Sequence, residues 1–148
     1  MYTLVLVDMQ PYFSAANSRR VRDNCKREIE KAMERRAAII FVEFNNCGPT
    51  VKSLIKMTDD YDRRFFAYKD MDDGSAEVAE VIHNNKLANK KLKVCGVNTD
   101  CCVRSTVQGL SSRLPKADIQ VIENACNTDG NHLYGLSAMK KLPNVKVK

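Results

Sequence analysis

Three side chains whose types suit acyl-transfer chemistry lie at or just beyond the carboxyl ends of predicted strands: Asp8, Lys69 and Cys102. A thiol can attack a carbonyl carbon once a base accepts its proton, and a nearby ammonium stabilises the thiolate and a developing oxyanion. The carboxylate can act as that base, so no histidine is required. Each residue alone has a structural explanation, as a turn ligand, a solvated lysine or a core cysteine. Together they predict a thiol-dependent site.

Cys102 falls in the first turn of a predicted helix. Backbone N–H groups lack partners there and the helix dipole is positive, so both favour a thiolate. A free cysteine has a pKa of about 8.5, and this position predicts a lower value. The same N–H groups suit an oxyanion. By position alone, Cys101 remains a rival nucleophile.

Alternating apolar and amphipathic segments supply the elements that must position these residues. Strands are predicted at 3–7, 38–44, 65–69, 92–97, 119–122 and 145–147. Helices are predicted at 18–36, 50–58, from Ser75, from near Cys101 to Pro115, and from Asn131. This order predicts one domain over residues 1–148, a three-layer α-β-α doubly wound fold. Its mainly parallel sheet would have five to six strands in Rossmann-like order, with the site beyond their carboxyl ends.

The composition excludes several classes of protein. No segment approaches the roughly 20 apolar residues of a membrane span, and the first residues read as a strand instead of a secretory signal. We therefore expect a soluble cytoplasmic protein without a membrane partner. The net charge is +6. Its basic residues concentrate in the first helix among acidic ones, which indicates a solvated face and not a nucleic-acid site.

The six cysteines do not indicate a disulfide framework or a zinc cluster. The chain is too long to need disulfides, and it contains no C-x-x-C pair. Its two histidines, His83 and His132, lie far from any paired cysteines, with His83 expected at the surface and His132 structural. We expect neither a metal nor another cofactor.

Three motifs occur in order along the chain: Asp8-Met9-Gln10 with Phe13, Lys69 with Ser75-Ala76, and 94–103 with Thr106. A late segment, 123–126 with His132, is a further point of similarity. The chain thereby resembles, almost end to end, the isochorismatase-like cysteine hydrolases, which include nicotinamidases and carbamoyl-amide hydrolases. The 94–103 motif is the most specific, and its alignment selects Cys102 over Cys101.

The resemblance implies a mechanism. Asp8 would take the proton of Cys102, whose thiolate would attack a small amide, ureido or related C–N substrate and form a thioester-type intermediate. Lys69 would stabilise the charge, and the backbone N–H groups of Asn98 and Cys102 would hold the oxyanion. The family typically has a cis peptide bond before the residue matching Asn98. Its members commonly form dimers or tetramers.

The sequence departs from the family at two places. Nicotinamidases carry a metal site of aspartate and histidines after the second strand, whereas 43–50 contains no histidine, so we predict no metal and doubt nicotinamidase activity. Glu43, Asn45 and Asn46 could still bind a polar substrate group. The connection 45–64 is short, which predicts a small substrate or a pocket closed by a second subunit. The remaining candidates for substrate binding are Gln10, Phe13, Phe44 and Tyr68.

Two other functions stay open. The fold could serve a non-catalytic binding or scaffold protein that retains the three side chains. The adjacent Cys101 and Cys102 could instead form a redox sensor, although adjacent cysteines make a strained disulfide. Isochorismate itself is not favoured as the substrate, because its cleavage does not need a nucleophilic cysteine.

Overall fold

A computed structural model describes all 148 residues, and its core is one parallel sheet. The strands are β1 (Thr3–Val7), β2 (Ala38–Phe44), β3 (Arg64–Lys69), β4 (Lys91–Val97), β5 (Asp118–Asn127) and β6 (Val145–Val147). Their order is β3-β2-β1-β4-β5-β6, and every pair is parallel. All five residues of β1 are buried, as expected for a central strand covered on both faces. The predicted doubly wound fold is confirmed.

Helices cover both faces of the sheet. They are α1 (Arg19–Glu34), α2 (Lys52–Lys56), α3 (Ser75–Asn84), α4 (Arg104–Arg113) and α5 (His132–Lys140), with a short 3₁₀ turn at Ser14–Asn17. Helix α1 contacts α2 and the central strands, whereas α4 packs against both α3 and α5. The buried stripe of α1 has helical spacing: Val21, Cys25, Ile29 and Ala32. None of these helices has the length and apolarity to cross a bilayer.

The order of the strands reverses between β1 and β4, which places a crevice at the carboxyl ends of these two strands. The chain leaves β1 at Asp8 and leaves β4 at Asn98. Gly96 has a φ of 123°, and a Cβ at this position would overlap the carbonyl oxygen of Val7. A glycine is therefore required where the two strands that carry the site approach each other.

Two elements differ from the predictions. The segment Thr99–Val103 forms a π-helical turn, and regular helix begins only at Arg104. Strand β5 extends to Asn127 instead of ending near residue 122. Its pairing with β4 is interrupted between Val94 and Gly96, so the polar residues that suggested an end belong to an irregularity inside the strand.

Candidate active site

The floor of the site is a buried ion pair between Asp8 and Lys69. The Nζ atom of Lys69 lies 3.1 Å from Oδ2 of Asp8, and the side chains are 0% and 1% exposed. Lys69 also donates hydrogen bonds to the carbonyl oxygens of Met71, at 2.8 Å, and Asp72, at 3.3 Å. Its Nζ lies 3.9 Å from the centre of the Phe44 ring. A carboxylate, two carbonyls and an aromatic face therefore fix the ammonium.

Cys102 completes the cluster from the other side of the crevice. It lies in the Thr99–Val103 turn and is 5% exposed. The carboxyl group of Asp8 and the ammonium group of Lys69 both interact electrostatically with its thiol. Neither oxygen of Asp8 accepts a well-aligned hydrogen bond from elsewhere in the protein, so this carboxyl group has free acceptor capacity. The fold thus brings the three side chains singled out from the sequence into one cluster.

The electrostatics of the cluster favour a thiol, not a thiolate. Burial, followed by the negative charge of Asp8, raises the pKa of Cys102 well above its ordinary value. Burial also raises the pKa of Asp8, although Lys69 and the thiol lower it in part. The expectation of a lowered pKa for Cys102 is therefore wrong for the free protein. The negative charge of Asp8 and the loss of hydration raise the pKa of Cys102 more than a helix N-terminus lowers it. The regular helix begins only two residues later, at Arg104.

Asp72 is a residue of this site that the sequence reasoning missed. Its side chain is exposed, and its Oδ1 and Oδ2 atoms lie 3.8 Å from Sγ of Cys102 and 3.6 Å from Sγ of Cys101. The Lys69 ammonium and the hydroxyl group of Thr106 hold the backbone around it. The available signal was the acidic turn 70–74 directly after the strand that carries Lys69.

Polar contacts anchor the turn that carries Cys102. The peptide bond between Val97 and Asn98 is cis, as the resemblance implies. The backbone N–H of Asn98 donates no hydrogen bond to the protein backbone. Asp100 accepts hydrogen bonds from the hydroxyl group of Thr128 and the backbone N–H of Asn131, both at 2.7 Å. The turn is therefore fixed to the segment that follows β5.

The four candidates for substrate binding have different surroundings. Gln10 is fully buried, and its amide bonds the backbone of Phe44 and Gly48, so it holds the loop after β2 and has no free group for a substrate. The rings of Phe13 and Phe44 lie 6.2 Å apart beside Lys69. They remain suitable walls for a pocket.

Tyr68 is the exception among these candidates. It precedes Lys69 on β3, and neighbouring side chains of a strand point to opposite faces. Its ring stacks on Phe66, with a centroid distance of 6.2 Å. Tyr68 therefore faces away from the cluster, which argues against its predicted contact with a substrate.

The segment after β2 does not fit the metal site of nicotinamidases. The Oε2 atom of Glu43 accepts hydrogen bonds from the backbone N–H of Thr50, at 2.8 Å, and from its hydroxyl group, at 2.7 Å. The amide of Asn45 donates to Asp70 at 2.9 Å. Glu43 thus stabilises its own loop, Asn45 links that loop to the turn after β3, and Asn46 is exposed. No histidine stands in this segment, so its donor set is poor for a transition metal.

The three clustered side chains are almost fully buried. A cavity of about 450 Å³ lies between the loop after β1 and the segment around α2, lined by Pro11, Tyr12, Cys47, Gly48, Pro49, Thr50, Lys52 and Ile55. None of the three clustered side chains lines it. Cys102 itself is 5% exposed, and the more exposed Cys101 and Asp72 lie beside its sulfur.

Comparison with known proteins agrees with this architecture. Among solved structures, nicotinamidase SaPncA from Staphylococcus aureus is 17% identical with a TM-score of 0.85, covering 99% of this chain and 96% of that chain. N-carbamoylsarcosine amidase from Thermoplasma acidophilum is 14% identical with a TM-score of 0.78, covering 99% and 95%. MAR1 ribonuclease from Caenorhabditis elegans is 17% identical with a TM-score of 0.80, covering 99% and 76%.

At these identities the structural matches establish the fold. No protein with a curated description matches the sequence. The family model of the isochorismatase domain matches residues 2–144, which is nearly the whole chain. The chain therefore belongs to the isochorismatase family.

Proposed function

We propose that this protein is a cysteine hydrolase that cleaves a small amide, ureido or related C–N bond. In this proposal Cys102 is the nucleophile, Asp8 is the base and Lys69 stabilises negative charge. The observation that carries the proposal is the buried pair of Asp8 and Lys69 against a thiol. Burying two charges removes their hydration and is often neutral or unfavourable for stability, so a catalytic role explains the pair better than a structural one.

The resting thiol must lose its proton to react. The raised pKa of Asp8 makes its carboxylate a stronger base than an ordinary aspartate, and its oxygens have free acceptor capacity. Transfer of the proton from Cys102 to Asp8 leaves a thiolate beside the Lys69 ammonium. The charge is then compensated within the cluster while sulfur forms a bond to the carbonyl carbon.

The remaining steps use backbone donors and the same proton. The carbonyl oxygen becomes an oxyanion, for which we assign the backbone N–H groups of Asn98 and Cys102. When the tetrahedral species collapses, the C–N bond breaks and the amine leaves with the proton held by Asp8. Water, deprotonated by Asp8, then hydrolyses the thioester and restores the thiol of Cys102. No cofactor takes part.

Activity on small amides tests the proposal. The wild-type protein is incubated with a panel that includes nicotinamide and N-carbamoyl amino acids, and release of ammonia is measured. We expect turnover of at least one compound and a loss of about 10³-fold or more in Cys102→Ala, because removal of a nucleophile abolishes the covalent route. Cys47→Ala, at a partly exposed cysteine outside the cluster, is the matched control and should retain full activity.

Mass spectrometry distinguishes this proposal from a binding or scaffold protein. A slow substrate should add one acyl or carbamoyl group to the intact chain, at Cys102 by peptide mapping. Turnover retained by Cys102→Ala would refute the mechanism. A wild-type protein that neither turns over the panel nor becomes acylated would favour the scaffold reading.

The charge around the thiol argues against a nucleic-acid substrate, although one structural match is a ribonuclease. The carboxylate of Asp72 contacts both Cys101 and Cys102, and Asp73 and Asp70 lie in the same exposed turn. A polyanion would be repelled at this point. The partner we propose is a small molecule, and neither nucleic acid nor membrane.

We also propose a homo-oligomer, a dimer or tetramer, that works in a reducing compartment such as the cytoplasm. The nucleophile must remain a thiol, and all six cysteines are free. Large apolar side chains are exposed near the carboxyl edge of the sheet, including Tyr12, Met71 and Leu133. A second subunit would cover them.

A further inference from the structure

Three potential metal ligands converge at the mouth of the site, on two segments far apart in sequence. The sulfur atoms of Cys101 and Cys102 and a carboxylate oxygen of Asp72 all lie within 4.8 Å of one another. Asp72 comes from the turn after β3, whereas the cysteines belong to the Thr99–Val103 turn. Of these three groups, the proposed hydrolytic mechanism uses only the thiol of Cys102. It gives no role to the side chains of Cys101 and Asp72.

The spacing of these atoms suits a tetrahedral ion. Zinc binds thiolate sulfur at about 2.3 Å and carboxylate oxygen at about 2.0–2.2 Å. Such bonds at tetrahedral angles separate sulfur from oxygen by about 3.5 Å and sulfur from sulfur by about 3.8 Å. The Sγ atom of Cys101 lies 3.6 Å from Oδ2 of Asp72, and that of Cys102 lies 3.8 Å from Oδ1 of the same carboxylate. One carboxylate oxygen and both sulfur atoms lie within 4.8 Å of one another, so shifts of about 1 Å would bring them to tetrahedral separations.

Charge and exposure also permit binding. Asp72 forms no ion pair with a basic side chain, so its charge is not compensated locally. Its side chain is exposed and Cys101 is partly exposed, which leaves a path from solvent. Lys69, whose positive charge acts on Cys102, is already paired with Asp8.

We propose that Asp72, Cys101 and Cys102 form an inhibitory site for a thiophilic divalent cation with filled d orbitals, such as zinc or cadmium. Binding forms two metal–sulfur bonds and one metal–oxygen bond and releases the two thiol protons to solvent, and water fills the fourth position. The bound ion engages the sulfur of the nucleophile, so catalysis stops until a chelator removes the metal. This site is distinct from the metal site of nicotinamidases, which follows the second strand.

Cadmium titration of the reduced full-length protein tests the site without reference to activity. The thiolate-to-cadmium charge-transfer absorption should saturate at one ion per chain in the wild type. Cys101→Ser and Asp72→Asn should each weaken binding more than about tenfold, because loss of an outer-shell partner alone has roughly that effect. Cys47→Ser removes a cysteine outside the cluster and should bind like the wild type. Equal binding by all four proteins, or none by the wild type, would refute the site.

A second measurement on the unmodified chain covers the case in which a variant fails to fold. Zinc should slow the alkylation of Cys101 by iodoacetamide, read by peptide mapping, and leave the rate at Cys47 unchanged. Equal rates at Cys101 with and without zinc would overturn the proposal. Both tests measure metal binding and not turnover. The metal site can therefore be refuted while the hydrolase proposal stands, and the hydrolase proposal can be refuted while the metal site stands.

Discussion

At the scale of single residues, Lys69 has a proposed catalytic role and also compensates a buried charge. Its ammonium is the only basic group paired with Asp8, and both side chains are almost fully buried. We expect Lys69→Met to lower the free energy of unfolding by about 3–5 kcal/mol, because it leaves an uncompensated charge in the core. Urea unfolding followed by circular dichroism measures the change.

The double variant Asp8→Asn/Lys69→Met is the matched control. It removes both charges, so it should be more stable than Lys69→Met alone while remaining inactive. A double variant that is less stable than the single one would show that Asp8 is stabilised by something other than the ammonium.

The sequence identifies residues whose position in an element suffices to place them. Asp8 and Lys69 each end an apolar run, and parallel strands bring such ends together. Tyr68 and Gln10 could not be placed in this way, because the direction of a side chain depends on the pairing of its strand and on loop contacts. Asp72 lies in a turn whose carbonyl oxygen accepts hydrogen bonds from Lys69 and from Thr106, and Thr106 is 34 residues away along the chain.

At the scale of elements, α5 is docked on the turn that carries Cys102, the proposed nucleophile. The Oγ1 atom of Thr99 lies 2.9 Å from Nδ1 of His132, the first residue of α5. Gly135 allows close approach, since a Cβ there would lie 2.7 Å from the carbonyl oxygen of Thr99. The position of Cys102 therefore depends on a helix that contributes no reactive group.

His132 should make this docking sensitive to pH. Burial and then Arg20 lower the pKa of His132, while Glu123 and Asp100 raise it less. The unfolded chain, with a histidine pKa of about 6.5, binds the proton more readily than the folded one. The contribution to stability is therefore fully present above about pH 6.5 and declines as the pH falls below it.

Urea midpoints at about pH 7.5 and about pH 5.5 measure this effect. The midpoint should fall further in the wild type than in His132→Gln, which cannot titrate. Other groups titrate in both proteins, so the decrease in urea midpoint of the wild type is compared with the decrease in His132→Gln. An equal fall in both would mean that the histidine does not couple to folding.

Periodicity alone predicts most elements, because the six predicted strands and five predicted helices are separated by clear breaks. The boundaries that it misses lie at the site. The turn at Thr99–Val103 is irregular in a segment whose apolar spacing suits a helix. The irregularity of β5 appears only from its pairing with β4. Local pattern cannot report either feature, since both depend on contacts between elements.

At the scale of the whole molecule, exposed apolar side chains are concentrated near the carboxyl ends of the strands. Tyr12, Met71, Leu133 and Tyr134 all follow the carboxyl ends of strands, and each is more than half exposed. Scattered apolar residues need no explanation, but a group near the mouth of a site indicates a covered surface. This distribution favours association through the edge that carries the candidate active site.

Leu133 provides the sharpest test of this association, because it is 76% exposed at the start of α5. We expect the wild type to elute as a dimer or tetramer, by light scattering after size exclusion, and Leu133→Glu to shift the mass towards one chain. Met1→Glu is the matched control, since Met1 is equally exposed but precedes β1 at the opposite edge. A monomeric wild type would contradict the oligomer. A Leu133→Glu variant that stays oligomeric would place the interface elsewhere, and the short connection 45–64 would then have to form the pocket from one chain.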